Sequence, residues 1–306
     1  MRIGTSLAEP SGQDALDRLA DQIRAAADDG FASAWMSNIF GLEALTALAV
    51  AGRGVPGIEL GTAVIPTYPR HPAVLAQQAL TADLALGGRL ALGIGLSHEI
   101  VISGMYGYSF ERPARHMKEY LAVLRPLLAG EPVNFEGPTL QAKIGLNVPR
   151  SGHQIPLLVA ALAPQMLRLA GRQADGTVLW MTGPATVREY IVPSITAAAT
   201  QAGRPSPRVV CVLPVCVTDD PEQARVNAGK AFAIYGQLPS YRAMLDREGA
   251  AGPGDVAIVG DEDAVTAQLQ TLAQAGVTDF VAGEYARGAD GPRTRALLRT
   301  LVPELG

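Results

Sequence analysis

Cysteine is nearly absent. The chain holds two in 306 residues, Cys211 and Cys216, both within the apolar run V-V-C-V-L-P-V-C-V. Five positions apart, they point to opposite faces of an ideal strand, and a disulfide between them would need a bend, with Pro214 the place for it. Buried free thiols in a reducing compartment are the expected reading. Histidine is sparse too, at four. No Cys or His pair stands at zinc spacing and no H-E-x-x-H occurs, so no metal site is expected. Without a G-x-S-x-G elbow, serine-hydrolase chemistry is disfavoured. No run of Lys or Arg forms a footprint for nucleic acid, and the formal net charge is −4. No apolar stretch is long and clean enough to span a bilayer. The opening M-R-I-G-T-S-L lacks the apolar segment of a signal peptide and reads as a strand. The expectation is a cytoplasmic protein that acts on a small molecule, with neither nucleic acid nor membrane as partner.

What is present is a large supply of core. The chain is 48% hydrophobic and 18% charged, which suits a sizeable folded interior and not disorder. Its length fits one large α/β barrel without requiring two domains. Strands and helices alternate almost throughout. Strands are expected at Arg2 to Ser6, Ala32 to Met36, Ile58 to Ile65, Leu90 to Ile94, Leu157 to Ala160, Thr177 to Trp180, Val209 to Val217 and Asp279 to Gly283. Helices fall between them. The first, Gln13 to Asp29, carries Leu16, Leu19, Ile23 and Ala26 at helical spacing and stops at Gly30. Another runs from Pro72, a proline at the first helical position, to about Leu86 ahead of Gly87-Gly88. A third covers Pro113 to Leu128. Later ones run from Pro164 to Arg172, Thr186 to Ala202, Pro221 to Tyr235, Ser240 to Arg247, Asp263 to Ala275 and Pro292 to Leu301. Residues 130–154 break the rhythm with N-F-E-G-P-T-L-Q-A, which reads as a β-hairpin insertion.

Eight strands alternating with helices, with no polar linker, point to a single (β/α)8 TIM-like barrel over residues 1–306. It carries two insertions, the hairpin near 130–154 and a helical segment near 236–256. The rival is an open doubly wound sheet, whose G-x-G-x-x-G should follow the first strand. Here that place reads S-L-A-E-P-S-G, and the lone Gly93-Ile94-Gly95 lacks its third glycine.

Several motifs then resemble the bacterial-luciferase-like family, and within it the branch that uses the deazaflavin coenzyme F420. They are Leu60-Gly61-Thr62-Ala63-Val64-Ile65-Pro66 with Arg70-His71-Pro72, Gly88-Arg89-Leu90-Ala91-Leu92-Gly93-Ile94-Gly95, Pro156 to Ala161 running on to Ala170-Gly171-Arg172-Gln173-Ala174-Asp175-Gly176, and Gly260-Asp261. They occur in family order along nearly the whole chain. The resemblance implies a TIM-like barrel, a homodimer, and a non-proline cis peptide in the third strand, by position Ala63–Val64, lying behind the flavin ring.

A flavin-like cofactor needs an apolar slot for its ring system and donors for its phosphate. The ends of the first four strands offer Ser6, Ser37, Ala63, Val64, Gly95 and Ser97 for the slot, since small residues let a flat ring approach the backbone; tight core packing is the plainer reading of the same residues. For the phosphate, Ala160-Ala161-Leu162-Ala163 and Thr182-Gly183 each lead into a helix with proline in its first turn, where backbone N–H groups lack helical partners. His98, three residues beyond Gly95, is the candidate catalytic group, able to bond the cofactor edge or relay a proton. His71 belongs to the start of the Pro72 helix as a structural contact. His116, beside Arg112 and Arg115, reads as part of a solvated helix face. Trp35 and Trp180 close their strands as core residues or pocket walls. In one respect the chain departs from the F420 pattern: some members carry S-D-H-F after the second strand, where this one has Ser37-Asn38-Ile39-Phe40. Neither acid nor imidazole is available at that corner.

The expected activity is hydride transfer between F420 and a small organic substrate, with 130–154 and 236–256 covering the substrate and Tyr235, Tyr241 and Arg242 as candidates there. The alternatives are an FMN-dependent two-component monooxygenase on the same fold, and a non-catalytic barrel that binds a flavin or lipid-like ligand without turnover. FMN, with its terminal phosphate dianion, would favour an extra arginine near the phosphate turns, and only Arg168 and Arg172 lie close, both on a helix body.

Overall fold

The computed structural model describes residues 1–305. Its elements follow in chain order. They begin with β1 (Arg2–Ser6), α1 (Ala15–Asp28), β2 (Ser33–Met36), α2 (Ala44–Gly52), β3 (Glu59–Thr62), β4 (Ile65–Pro66), α3 (Pro72–Ala85), β5 (Leu90–Gly95), α4 (Glu99–Ile102) and α5 (Pro113–Ala129). The hairpin β6 (Val133–Glu136) and β7 (Gln141–Ile144) comes next, then β8 (Leu157–Ala160), α6 (Pro164–Gln173) and β9 (Gly176–Trp180). Helix α7 (Pro184–Thr186) passes through a π-helical turn (Val187–Ile191) into α8 (Val192–Gln201), and β10 (Arg208–Val217) follows. The chain closes with α9 (Pro221–Ala231), α10 (Pro239–Glu248), β11 (Ile258–Gly260), α11 (Glu262–Gln274), β12 (Asp279–Glu284) and α12 (Asp290–Leu305).

Strands β1, β2, β3, β5, β8, β9, β10 and β12 pair side by side in that order, all parallel, and β12 returns to β1. The ring closes with no free edge, which is the (β/α)8 barrel expected from the alternation. The hairpin β6–β7 forms its own antiparallel pair. Three differences from the expected elements have local causes. The third strand is broken. After Thr62 the chain leaves the ladder at Ala63–Val64, whose peptide bond is cis, and rejoins β5 at Ile65–Pro66. The Thr62 hydroxyl takes over the missing backbone bonds. It accepts from Gly93 N at 2.9 Å and donates to Gly93 O at 2.8 Å. Second, β11 is too short to stand out in sequence. It pairs with the upper end of β10, where Val215 meets both Ile258 and Glu284. Third, α9 stops at Ala231, and the chain makes a 3-10 turn (Ala233–Gly236) before α10 starts at Pro239.

The barrel interior is layered. At the bottom, Arg2, Glu59, Arg208 and Asp279 form a closed ring of alternating charge. Arg2 pairs with Asp279 and, at 3.2 Å, with Glu59; Arg208 pairs with Glu59 at 2.8 Å and with Asp279 at 2.9 Å. Trp35 fills the middle, with Ala91, Leu158, Val178, Val210, Val212 and Val281 around it. Its indole donates to Ser33 Oγ at 2.8 Å. Gly61 is required opposite: a Cβ there would lie 2.2 Å from the indole. Outward-facing strand residues such as Ile3, Leu60, Leu92 and Phe280 pack under the helices in the main core.

Both cysteines are free and buried. Cys211 belongs to the main core and Cys216 to a small cluster with Ala224, Ala228, Ala257 and Val259. Burial pushes the Cys211 thiol up to about 12. Among the described residues no helix is long and apolar enough to cross a membrane.

Asp279 carries the stability prediction. Burial works to raise its pKa, yet Arg208 and Arg2 outweigh it and hold the carboxyl below its usual value. Asp279→Ala removes the buried carboxylate that Arg2 and Arg208 share and should cost about 3 kcal/mol in urea unfolding. The unfolded chain binds the proton more readily than the folded one. The carboxylate's contribution is therefore complete above the ordinary Asp value of about 4 and is lost as pH falls through the lower folded value. Wild-type melting temperature should drop over that acid window, and Asp279→Ala should flatten the drop.

Candidate functional site

Above Trp35 the barrel wall turns small. Gly95, at the end of β5, sits against Val64 and Ala160: a Cβ on it would lie 2.6 Å from Val64 Cγ2 and 3.3 Å from Ala160 Cβ. Ala63, Val64 and Trp180 pack on the interior cluster from above and remain partly exposed. The structure therefore brings Ala63, Val64, Gly95 and Ala160 together at the upper rim. Ser37 and Ser97 stand half-buried on the same rim, after β2 and β5. Two residues there hold left-handed backbone without being glycine, Ser97 (φ 61°) after β5 and Met181 (φ 53°) after β9. Such backbone persists only where the surroundings over-determine it, and it concentrates at working sites.

The two proposed phosphate turns differ. After β8, Ala161 is buried, Leu162 half-buried and Ala163 exposed. Ala163 is the N-cap of α6 and no side chain caps the helix, so its first N–H groups face outward at the rim. After β9 the corresponding groups are taken. Glu248, the last residue of α10, accepts from Ala185 N at 3.0 Å and from Thr186 N at 2.7 Å. Thr182 is fully buried and its hydroxyl turns back to Trp180 O at 3.1 Å. Gly183 lies under Glu248, whose carboxylate a Cβ would meet at 2.4–2.5 Å. The N–H groups that follow Thr182 and Gly183, at Ala185 and Thr186, are thus already bonded and not free for a phosphate. The physical reason is a carboxylate from a distant segment on the positive end of the helix; nothing in the local T-G-P pattern marks it.

His98 opens α4 and is half-buried. Burial lowers its pKa, which favours the neutral ring. Its ring lies 5.5 Å from that of Tyr241 on α10. From there rings continue across the mouth. Tyr241 meets Tyr235 at 5.3 Å, Tyr235 meets Trp180 at 5.6 Å, Trp180 meets Phe232 at 5.4 Å, and Phe232 meets Tyr285 after β12 at 6.1 Å. Tyr235 and Tyr241 were readable as candidates for this cover; Phe232 and Tyr285 were not, because only the fold of 221–248 over the mouth joins them to Trp180. Trp180 Nε1 is buried with no acceptor.

The other candidates have structural roles. His71 caps α3, accepting from Ala73 N at 3.2 Å while its Nε2 donates to Gln141 O at 3.0 Å. Asn38 accepts from Ala44 N at 3.0 Å at the start of α2. Arg242 is tied to Asp246 at 2.8 Å and to the carbonyls of Ala250 and Ala251. His116 corrects the expectation of a solvated face. It stacks on Tyr68 with ring centroids 3.9 Å apart and planes 7° from parallel, and its Nε2 lies 3.0 Å from Thr67 Oγ1. Nothing local signals this contact, since Tyr68 and His116 meet only when α5 docks on the turn after β4.

Burial drives the His116 pKa down to about 4, with Glu119 opposing weakly. The folded state therefore takes up the proton later than the unfolded chain, whose ordinary value is about 6.5. Stability from this packing is complete above the ordinary value and is lost as pH falls toward the folded one. An NMR titration should place the His116 ring near 4, and His116→Phe, which keeps the stack, should flatten the stability profile between these limits.

Comparison with known proteins places this arrangement. The sequence model for "Luciferase-like monooxygenase" matches residues 1–279. The chain is similar to 5,10-methylenetetrahydromethanopterin reductase of Methanolobus tindarius, 27% identical over 317 residues that cover 94% of this chain and 95% of the relative. It is also similar to a putative coenzyme F420-dependent oxidoreductase of Mycobacterium tuberculosis, 28% identical over 309 residues, 86% of this chain and 89% of the relative. In fold it matches the solved coenzyme F420-dependent tetrahydromethanopterin reductase of Methanopyrus kandleri, with a TM-score of 0.81, 23% identity, and cover of 100% of this chain and 99% of that one. The chain is a luciferase-like TIM barrel and belongs to the luciferase-like monooxygenase family of oxidoreductases.

Proposed function

We propose that this protein transfers a hydride between coenzyme F420 and a small organic substrate, working as a homodimer. One observation carries the reading: the rim slot at Ala63, Val64, Gly95 and Ala160 has no room for even one more carbon at Gly95. Walls this close to bare backbone suit a flat heterocycle. Relatives named for F420 support the choice of cofactor. When bound, F420 supplies or accepts the hydride.

The chain's own groups have simpler tasks. Ala63 and Val64 form the floor against which the ring lies. Ser37 and Ser97 offer hydroxyls to its polar edge. Ala160, Ala161, Leu162 and Ala163 lead the backbone into the uncapped first turn of α6, whose N–H groups bind the phosphate with the helix dipole behind them. His98, neutral and half-buried beside Tyr241, holds or moves the proton that must accompany a hydride at a carbon–oxygen bond. Trp180 and the rings beyond it exclude water from the mouth.

Titration of the purified protein with F420 and separately with FMN, followed by absorbance and fluorescence, tests the cofactor. F420 should bind at least about tenfold tighter, and a preference for FMN would replace this reading with the monooxygenase one. Ala163→Glu places a negative charge on the exposed α6 turn. It should weaken F420 about tenfold while leaving the phosphate-free deazaflavin nucleoside nearly unaffected. Equal loss for both would remove the phosphate from this turn.

A further inference from the structure

We propose that Tyr190 is a positioning residue for the phosphate turn: its hydroxyl holds the Leu162–Ala163 peptide so that N–H, and not C=O, faces the anion. The inference rests on the phosphate lying at the start of α6, as proposed above, and names what keeps that turn in its binding shape. Tyr190 OH donates to Leu162 O at 3.0 Å, across 28 residues of sequence. A peptide unit is planar and trans, so its N–H points away from its C=O. With the Leu162 carbonyl turned to Tyr190, the Ala163 N–H is turned the opposite way. That N–H has no backbone acceptor among the described residues, and Ala163 is exposed. It joins the N–H groups of Gln165 and Met166 in the uncapped first turn of α6. Pro164, between them, has no N–H to offer. Were the peptide flipped, a carbonyl oxygen would stand in this place and repel an anion.

The position of Tyr190 is held from two sides. It lies in the π-helical turn Val187–Ile191, where Val192 N donates to Val187 O, five residues back. Such turns inside α-helices recur at working sites. Val187 and Ile191 are fully buried and anchor the turn, while Tyr190 is half-buried. From the other side comes Arg247, in the last turn of α10, over the Tyr190 ring at 4.1 Å from its centroid. A guanidinium over a ring face is attracted to it. The next residue, Glu248, bonds Ala185 N and Thr186 N. It thereby fixes the end of α10 to the helical stretch that carries Tyr190. Burial raises the Tyr190 pKa and Arg247 opposes this only in part, so the phenol keeps its proton and remains the donor.

Tyr190→Phe keeps the ring under Arg247 and removes the bond to Leu162. Two measurements read the change. One compares F420 with the phosphate-free deazaflavin nucleoside by fluorescence titration. The other follows the Ala163 and Gln165 amides by NMR as inorganic phosphate is added to the cofactor-free protein. Tyr190→Phe should weaken F420 about fivefold and leave the nucleoside nearly unaffected. The dissociation constant of inorganic phosphate should rise by a similar factor. Arg247→Gln should weaken F420 about twofold. Combined with Tyr190→Phe it should change nothing further, because Arg247 acts through the Tyr190 hydroxyl. A merely structural Tyr190 would weaken both deazaflavins alike. Failure to bind F420 would sink the cofactor reading alone, because inorganic phosphate at the Ala163 amide still tests Tyr190. No shift of that amide with phosphate in the wild type, unchanged affinities in Tyr190→Phe, equal loss for the nucleoside, or additive effects of the two substitutions would overturn the inference.

Discussion

Everything at the upper rim depends on how the barrel is filled from below. Four charges close the bottom in a neutral ring, and a single indole, Trp35, occupies the middle. Because one large side chain does this, the strand facing it must give way. Gly61 has no Cβ for that reason. A TIM barrel is a packed core and not a pore, so a site can exist only where packing stops. In this chain it stops directly above Trp35, where the inward positions are Gly95, Ala160 and the Ala63–Val64 step.

That step is held by an unusual division of labour. The third barrel strand leaves the ladder for two residues and returns. In the gap, the hydroxyl of Thr62 both accepts and donates to Gly93. Two buried backbone groups are thereby satisfied without a strand partner, and the backbone is free to turn Ala63 and Val64 into the mouth. Gly93 must be glycine in turn, since a Cβ on it would lie 2.0 Å from Thr62 O.

The cover is fastened to the same rim. Glu248 fixes the end of α10 to the start of α7 through two charge-assisted bonds. The adjacent Arg247 lies over Tyr190, whose hydroxyl donates to Leu162 O at 3.0 Å in the turn before α6. The segment that brings Tyr241 beside His98 is therefore tied to both of the turns after β8 and β9. Position of the cover and shape of the α6 turn are mechanically linked through Tyr190.

Sequence alone determined the class of fold. Eight apolar runs alternating with helical periods admit few packings, and β5, β8 and β12 fall within a residue or two of their expected bounds. That Ala63, Val64, Gly95 and Ala160 are small could also be read there, since side-chain size is a local property. What tertiary structure decided were the contacts between distant segments. Glu248 lies more than sixty residues from the turn after Gly183, and only the fold shows that it takes the N–H groups of Ala185 and Thr186 there. His116 carries the local signature of a solvated helix beside two arginines, and docking of α5 buries it against Tyr68. The arc of rings joins residues from 98 to 285, and no periodicity links them. Local pattern encodes backbone preference and burial; which charges meet which helix ends, and which rings meet across the mouth, follows only once the barrel has closed.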